Sequence, residues 1–232
     1  MNLKKLLATF AFITVVNYSC IAQIKWNANA GLTYSNVVAK DRDGNAANTS
    51  SVPGIYLGLG IDLPFSQLFA VRPAIVYAKR GFKQPGSSHI GWGKDFEAKT
   101  SYIELPVDFL YSPTIGPGNL LLAVGPYVGY GTGGRWTTSQ TVVVGDIAFD
   151  GQGDIAFQND AIISGKGTNS HTYANPWDYG LHFRIGYALF GQYSVSLDVQ
   201  RGIADLQPRW GDFKPESTVR NKSLGITAGY SF

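Results

Sequence analysis

The chain has 232 residues, of which 44% are hydrophobic and only 15% are charged, whereas about 25% of residues are charged in an average soluble domain. The hydrophobic fraction excludes global disorder, and the scarcity of charge argues against an ordinary soluble fold. When Lys4 and Lys5 are set aside as part of a targeting segment, the 19 basic residues fall to 17, against 16 acidic ones. This balance excludes the basic surface of a nucleic-acid-binding protein.

Residues 1–22 have the pattern of a secretory signal peptide, with lysines at positions 4 and 5, an apolar run over 6–16 and a small residue, Ala22, at the end. The run is too short to span a bilayer as a helix. The alternative is a lipoprotein signal ending at Cys20, but the residues before this cysteine differ from those that such signals usually carry. Cleavage after residue 22 leaves one domain, 23–232, without cysteine. Disulfides, thiol catalysis and cysteine-based metal sites are then excluded.

From residue 24 onward, apolar residues alternate with small or polar ones in eight segments. The first segment places Ile24, Trp26 and Leu32 on one face and Lys25 and Asn27 on the other, a period of two that is typical of a β-strand. The eight segments are 24–34, 54–63, 69–78, 102–111, 120–130, 177–189, 193–202 and 223–232. No segment has the 18 or so continuous apolar residues of a membrane helix, so the pattern excludes a helical membrane protein.

Connections of two lengths join these segments. Short turns lie around 64–67, 112–118 and 190–192, and longer connections alternate with them, the longest being 131–176. An even number of strands of about ten residues, joined alternately by short turns and long loops, is typical of the smallest transmembrane barrels. The sequence therefore predicts an all-β fold, an eight-stranded antiparallel up-and-down transmembrane β-barrel with both termini and the short turns in the periplasm.

Two features indicate which face of each strand contacts lipid. The non-apolar face carries mainly Gly, Ala, Ser and isolated charges, which suits a narrow lumen better than a water-exposed surface. The apolar face has aromatic residues near the strand ends, in two sets: Trp26, Phe69, Tyr111, Tyr187, Tyr193, Tyr230 and Phe232 at one end, and Tyr34, Tyr77, Tyr130, Trp177 and Tyr179 at the other. Such girdles flank the lipid-facing band of outer-membrane barrels. The alternative is a soluble lipocalin-like barrel with these rings in its core.

Four short motifs stand out in the mature chain: Gly-Leu-Thr-Tyr-Ser-Asn at 31–36, Ser-Tyr-Ile-Glu-Leu-Pro-Val at 101–107, Gly-Pro-Tyr at 125–127 and Asp-Tyr-Gly at 178–180. With these motifs, essentially the whole mature chain resembles the PorT-like outer-membrane β-barrel domains of Bacteroidetes. The terminal Tyr230 and Phe232 resemble the C-terminal aromatic signal that the barrel assembly machinery reads. The resemblance implies an outer-membrane location in the cell envelope and, for some members, a link to protein secretion. It carries no catalytic residues.

Few residues outside the strands could carry chemistry. Residues 87–89 (Ser-Ser-His) and 170–171 (Ser-His) lie in predicted outer loops, where some barrels have lipid-modifying active sites, but neither has a recognised catalytic or metal-ligand spacing. The acidic segment 41–45 superficially suggests a calcium loop, yet its glycine and the closing residue do not fit an EF-hand. We therefore expect no enzymatic activity, no cofactor, and no catalytic, cofactor-binding or metal-binding residues.

The longest loop contains an internal repeat, Gly-Asp-Ile-Ala-Phe at 145–149 and again at 153–157. Both copies alternate, which predicts that 141–157 forms a hairpin turning near 150–153 and extending the fifth and sixth strands beyond the membrane. Two interpretations are open for this projection. It is either a binding surface for a partner or ligand, or a rigid cap over the barrel, because apolar residues outside the membrane need cover.

Inward-facing charges predict ion pairs in the lumen. A tight turn centred on Gly191 pairs Leu189 with Tyr193 and, counting back, Arg184 with Asp198, close enough for the guanidinium to reach the carboxylate. A comparable cluster is expected from Arg72, Glu104 and Asp108 on the third and fourth strands. The predicted role of these five residues is structural: they fill the lumen and fix strand register.

The function expected from these observations is that of a non-enzymatic outer-membrane barrel with a side-chain-filled lumen. Eight strands leave room only for side chains or one small ligand, so an open pore is not expected. The expected partners are outer-membrane lipid, the barrel assembly machinery and an envelope or secretion protein bound by the outer loops. Two alternatives stay open, a lipid-modifying enzyme with its site at the rim and a carrier of small hydrophobic molecules.

Overall fold

The computed structural model describes residues 24–87, 94–139, 142–144, 147–149, 151–160 and 170–232. The predicted signal peptide, 1–22, and the cleavage after it lie outside the described residues and stay predictions. Among the residues described, no helix is long and apolar enough to cross a membrane.

Eight long strands form the body of the protein. They are β1 (Lys25–Lys40), β2 (Val52–Pro64), β3 (Phe69–Ser87), β4 (Lys94–Tyr111), β5 (Gly118–Thr137), β6 (Trp177–Leu189), β7 (Tyr193–Gly202) and β8 (Thr218–Ser231). Each strand pairs antiparallel with the next along the chain, and β8 pairs with β1, which closes the ring. The predicted all-β, eight-stranded up-and-down barrel is confirmed.

The register around the ring shows how strongly the strands are staggered. Starting at Leu57 on β2, direct partners in one direction lead through Tyr77, Ile103 and Tyr130 to Trp177 on β6. In the other direction, direct partners lead through Ala30, Ala228 and Val195 to Tyr187 on the same strand. The two paths arrive ten residues apart on β6, a stagger that requires the strands to tilt by roughly 40° to the barrel axis.

The two ends of the barrel differ. The turn end, as we name it, has the described N- and C-terminal residues and the short connections 65–68, 112–117 and 190–192, whereas the loop end has the longer connections. At the loop end, β3, β4 and β5 continue for seven to ten residues beyond Tyr77, Ile103 and Tyr130, respectively. At about 3.3 Å per residue, this adds roughly 23–33 Å of strand beyond the aromatic girdle.

Apolar side chains point outward along the membrane-spanning part of the barrel. Leu59, Ile75 and Val195 are each more than 60% exposed, while inward-facing neighbours such as Val76 and Glu104 are fully buried. A soluble barrel would have the opposite arrangement, because its outer wall faces water. The prediction that the apolar face contacts lipid therefore agrees with the structure.

A bulge in β5 changes which side chains face inward at the loop end. The β4–β5 register shifts between Ser101 and Tyr102, opposite Gly131 and Gly133. Gly133 has a φ of 145°, a backbone conformation that residues with a Cβ rarely adopt. Before the bulge, even-numbered residues of β5 point outward; after it, Trp136 is buried at 1% exposure. The bulge therefore delivers a large ring into the end of the barrel.

The pairing predicted for the longest loop is wrong. Val142–Val144 pairs with Ile147–Phe149, so the first copy of the repeat belongs to a small separate hairpin. The second copy lies in Gln152–Phe157, which pairs antiparallel with 134–137 of β5 and parallel with Ser170–Ala174. Because both copies alternate in the same way, alternation alone cannot select their partners, and the end of β5 offers an open edge to the second copy.

We predict that the loop end faces the outside of the cell and the turn end the periplasm. Asp43 and Gln67 are exposed in a loop-end and a turn-end connection, respectively, so Asp43→Cys and Gln67→Cys report on the two sides. A membrane-impermeant maleimide should label only Asp43→Cys on whole cells, and both variants after lysis, with the unsubstituted protein as control. Labelling of Gln67→Cys alone on whole cells would reverse the topology.

Candidate functional site

The lumen of the membrane-spanning part is filled by two groups of buried polar side chains. We name them the lower layer (Asp108, His182, Arg184 and Asp198) and, nearer the loop end, the upper layer (Arg80, Glu104, Asp178 and Gln200). Every one of these residues is at most 6% exposed. An unpaired charge is costly in such a position, so the partners of each group decide whether the barrel is stable.

In the lower layer, Arg184 and Asp198 are direct partners on β6 and β7. Arg184 Nε donates to Asp198 Oδ1 at 2.6 Å, and Arg184 Nη2 donates to the Tyr56 hydroxyl at 3.3 Å. The second carboxylate oxygen of Asp198 accepts a hydrogen bond from Thr227 Oγ1 at 2.7 Å. The residues predicted to pair thus lie opposite each other, with two further strands, β2 and β8, tied to the pair.

His182 connects the lower layer across the lumen. Its Nδ1 lies 2.8 Å from Asp108 Oδ2 on β4, and its Nε2 lies 3.1 Å from Asp198 Oδ1 on β7. The imidazole therefore bridges two carboxylates that belong to strands on either side of its own. A ring held at both nitrogens in this way has little rotational freedom.

In the upper layer, the guanidinium of Arg80 reaches three other strands. Arg80 Nε donates to Glu104 Oε1 at 2.6 Å and Nη1 donates to Ser223 Oγ at 2.9 Å. Arg80 Nη2 donates to Gln200 Oε1, and Gln200 Nε2 donates to the second oxygen of Glu104 at 2.9 Å. The planar fork of arginine makes three such directed contacts possible, which a lysine could not reproduce.

Asp178 completes the upper layer from β6. Its Oδ2 accepts hydrogen bonds from Tyr127 at 3.2 Å and from Asn221 Nδ2 at 2.9 Å. Its Oδ1 is buried without a hydrogen-bond partner. The ring of Tyr127 also lies against Arg80, with the guanidinium carbon 5.9 Å from the ring centroid.

Arg72, Glu104 and Asp108 do not form the single cluster that the sequence suggested. Arg72 and Asp108 are direct register partners, but Arg72 binds Asp62 through two hydrogen bonds of 2.5 and 2.8 Å, Glu104 binds Arg80, and Asp108 binds His182. The lumen is narrow enough for inward side chains to reach strands that are not neighbours, so the nearest charge along a strand pair need not be the partner.

Several members of these networks were missed by the sequence analysis, among them Asp62 and Arg80. Counting back through the short β2–β3 turn places Asp62 opposite Arg72, between the direct pairs Gly60–Ala74 and Leu63–Val71. Arg80 lies two residues beyond the predicted end of the third strand, and continuing the alternation from Ala78 places it in the lumen. The sequence therefore contained a signal for Asp62 and a signal for Arg80. It contained no signal for contacts between strands on opposite sides of the lumen.

Beyond the upper layer, the interior becomes apolar. We name this region the loop-end core; its buried residues are Val37, Ala39, Phe82, Phe96, Ala98, Trp136, Ile155, Ala204, Leu206 and Val219. The rings of Phe96 and Trp136 stack with centroids 6.0 Å apart. Ile155 comes from the second copy of the loop repeat, so this part of the long loop covers the core rather than presenting its apolar side chain to solvent.

The lumen is not completely filled at the turn end. A cavity of about 220 Å³ lies there, lined by residues that include Asn27, Asp62, Arg72 and Leu121. The predicted C-terminal signal lies beside it on the outer wall: the rings of Tyr230 and Phe232 are 4.9 Å apart, and Phe232 is 73% exposed. Recognition of these two rings by the assembly machinery stays a prediction.

The loop residues considered for catalysis or metal binding give little support for either. His89 lies outside the described residues, and of His171 only the backbone pairing with Ile155 is described. Asp41 uses both carboxylate oxygens on the backbone and side chain of Asn45, and the Asn45 side chain lowers the pKa of Asp41 below its ordinary value. Within the described ranges, no three His, Cys, Asp or Glu residues are placed to hold a metal ion.

The comparison that decides the family matches residues 19–207 to the family described as outer membrane protein beta-barrel domain. The chain belongs to this family. It is therefore an outer-membrane protein, as predicted, while the narrower PorT-like assignment to Bacteroidetes stays a prediction. The match ends before β8, the strand that closes the ring with β1. No curated protein matches the chain.

Solved outer-membrane proteins of similar architecture have low sequence identity to the chain. The attachment invasion locus protein Ail of Yersinia pestis, solved with the heparin analogue sucrose octasulfate, is 11% identical with a TM-score of 0.43, covering 90% of this chain and 99% of its own. A major outer membrane protein of Thermus thermophilus is 15% identical with a TM-score of 0.46, covering 90% and 99%. Neisserial surface protein A is 12% identical with a TM-score of 0.41, covering 89% and 97%.

We predict strong energetic coupling between Arg184 and Asp198. Arg184→Ala and Asp198→Ala should each lower the free energy of unfolding by about 3–5 kcal/mol, because each leaves a buried charge without its partner. The double variant should lose less than the sum of the two. Urea unfolding of the barrel in detergent, followed by gel mobility without boiling, measures all three.

The exposed ion pair Arg42–Glu216 is the matched control for this cycle. Its atoms are also 2.6 Å apart, but its side chains are 79% and 60% exposed, so solvent screens the attraction. Arg42→Ala and Glu216→Ala should show no measurable coupling. Additive losses at Arg184 and Asp198 would mean that these two side chains do not interact in the folded barrel.

Proposed function

We propose that the protein is a closed, non-enzymatic outer-membrane barrel that presents its loop end to a protein partner of the cell envelope or of a secretion assembly. The observation that carries this proposal is the continuous filling of the barrel by the lower layer, the upper layer and the loop-end core. A barrel closed in this way offers no path for solutes through its lumen. Its function then has to lie on its outer surfaces. The PorT-like resemblance supports the same class of partner.

The shape of the loop end supports presentation to a partner. Strands β3, β4 and β5 continue past the membrane, and the loop-end core holds them together. A rigid projection loses little conformational entropy when another protein binds it. The filled interior therefore supplies both the closure of the lumen and the stiffness of the projection.

A pair of exposed aromatic residues marks one binding position. Trp210 and Phe213 flank a tight turn in the β7–β8 connection, joined by backbone hydrogen bonds of 2.8 and 3.1 Å in both directions. The turn is fixed from outside because Asp160 Oδ1 accepts the Gly211 amide at 3.1 Å. The two side chains are 56% and 64% exposed, and exposed aromatic rings on a fixed turn are typical anchors of protein interfaces.

The two alternative functions have less support. A carrier of small hydrophobic molecules needs an apolar route, whereas the membrane-spanning lumen contains ion pairs such as Arg80–Glu104. A lipid-modifying enzyme needs an activated serine or histidine at the rim, for which the sequence offers two candidates: 87–89, of which 88 and 89 lie outside the described residues, and 170–171. Ser170→Ala should leave the turnover of radiolabelled outer-membrane lipid unchanged, and loss of turnover would favour the enzyme.

Conductance tests the closed lumen. The purified protein in planar lipid bilayers should show no steady ion conductance, because the buried layers leave no continuous water path. A general porin at the same concentration serves as the positive control. Regular ohmic steps from the purified barrel, absent from detergent-only controls, would contradict closure.

Photocrosslinking tests the presented surface. A photoreactive residue at Asp212, between Trp210 and Phe213, should form a defined adduct with one envelope protein in intact cells, and one at the turn-end residue Gln67 should not form that adduct. The double substitution Trp210→Ala and Phe213→Ala should remove the adduct without changing the heat-modifiable gel mobility of the barrel. An adduct that survives this substitution would place the partner elsewhere.

A further inference from the structure

The outer wall of the barrel carries exposed basic residues just beyond the aromatic girdle at the loop end. We name six of them the basic belt: Lys79, Lys99, Arg135, Arg201, Arg220 and Lys222. All six are exposed, and they lie on β3, β4, β5, β7 and β8. Their neighbours along the strands point inward, for example Ala78 and Arg80 on either side of Lys79, so the belt faces away from the lumen.

The register places the lower part of the belt at the edge of the lipid-facing band. Lys79 follows the girdle residue Tyr77 on the same face of β3. On β8, Lys222 precedes Leu224, which is the direct partner of the girdle residue Tyr34. Side chains in these positions reach the level where lipid headgroups replace acyl chains.

Like charges face each other directly within the belt. Arg201 is the direct partner of Lys222, and Lys99 is the direct partner of Arg135. Like charges in directly opposed positions destabilise an antiparallel pair. The Lys99–Arg135 pair has acidic neighbours, since Glu97 lies 2.7 Å from Lys99 and Asp154 is the other direct partner of Arg135. No carboxylate of the described residues lies within ion-pair distance of Arg201 or Lys222. Within the described part of the chain, Arg201 and Lys222 thus have no acidic partner, and an anion bound between them would relieve their repulsion.

The turn end has no equivalent belt among the described residues. Its wall presents exposed apolar and aromatic residues such as Trp26, Phe65 and Phe232. The basic residues there, Lys25 and Arg72, line the turn-end cavity instead. Cations at only one end indicate an affinity for the lipids of one leaflet, because a general affinity for membranes would place cations at both ends.

We infer that the basic belt binds the phosphate groups of an anionic lipid in the leaflet at the loop end. The phosphates occupy the outer wall between neighbouring strands, where each can lie between two cations, as at Arg201 and Lys222. The ligand is a lipid rather than free phosphate, because the belt continues directly from the lipid-facing band and the acyl chains can lie against Leu224 and Leu181. Binding needs no protein partner and is independent of the proposed presentation function.

The test uses the full-length mature protein purified in an uncharged detergent, with lipopolysaccharide as the polyphosphorylated probe. Phosphatidylethanolamine and inorganic phosphate are the comparison ligands. Lipopolysaccharide should raise the melting temperature and bind at least about tenfold more tightly to the unsubstituted protein than to Arg201→Gln/Lys222→Gln, since each basic residue near an anionic lipid surface contributes to attraction. Neither comparison ligand should reproduce the shift.

The melting temperature measured without lipid shows whether a variant is folded. A loss of lipid binding can therefore be distinguished from a general loss of folding. Lys222→Gln should be at least as stable as the unsubstituted protein in detergent, because it removes a like-charge contact, yet it should gain less from lipopolysaccharide. The matched control Lys25→Gln removes a cation at the turn end and should keep the full shift.

Two results would overturn the inference. Equal lipopolysaccharide affinity in Arg201→Gln/Lys222→Gln and the unsubstituted protein would show that the belt is not the binding site. A full shift with inorganic phosphate would show that free anion, not lipid, is the ligand. Loss of the crosslinked partner described above would leave both measurements unchanged, so the failure of one proposal is distinguishable from that of the other.

Discussion

The constraint on which the rest of the structure depends is the closure of only eight strands into a ring. Closure satisfies the backbone hydrogen bonds without leaving a sheet edge in lipid. It also makes every second side chain point into the lumen, which is barely wider than the side chains themselves. Because lipid lies outside, the polar half of each alternating strand has to point inward, and any charge there must find its partner within the lumen.

The buried networks are a direct consequence of this constraint. Asp198 accepts hydrogen bonds from groups on β6 and β8, and Arg80 donates to groups on β4, β7 and β8. Each charge thus ties several strands together at one height. A shift of any strand by one residue would turn these side chains into lipid, so the networks oppose register errors even where their net contribution to stability is small.

The same strands change character where they leave the membrane. Within the girdle, apolar residues face outward and charges face inward. Beyond it, Lys79 and Lys99 face outward while Phe82 and Phe96 are fully buried, which is the arrangement of a soluble barrel. The change follows from the surroundings alone: lipid outside requires an apolar wall, and water outside requires an apolar core. This transition fills the loop end of the barrel with apolar side chains and leaves cations on its outer wall.

The sequence was sufficient for the strand pattern and for the register across a tight turn, but not for every charge on neighbouring strands, since Arg72 binds Asp62 rather than its direct partner Asp108. Alternation gave the number of strands and their lipid-facing sides, and a three-residue turn at Gly191 placed Arg184 opposite Asp198. Contacts across the lumen, such as His182 with Asp108, could not be predicted because they join strands that are not neighbours and depend on the stagger of the whole ring. The pairing of the loop repeat failed for a related reason, since two identical alternating copies have no local signal that selects their partners.

Exchange of the guanidinium Nε protons with D₂O, followed by NMR of the barrel in detergent micelles, tests the filled lumen most directly. The Nε protons of Arg80 and Arg184 are buried and bonded to carboxylates, so they should persist long after that of the exposed Arg42 has exchanged. Exchange of Arg80 and Arg184 as fast as that of Arg42 would mean that water fills the lumen, which would contradict the account.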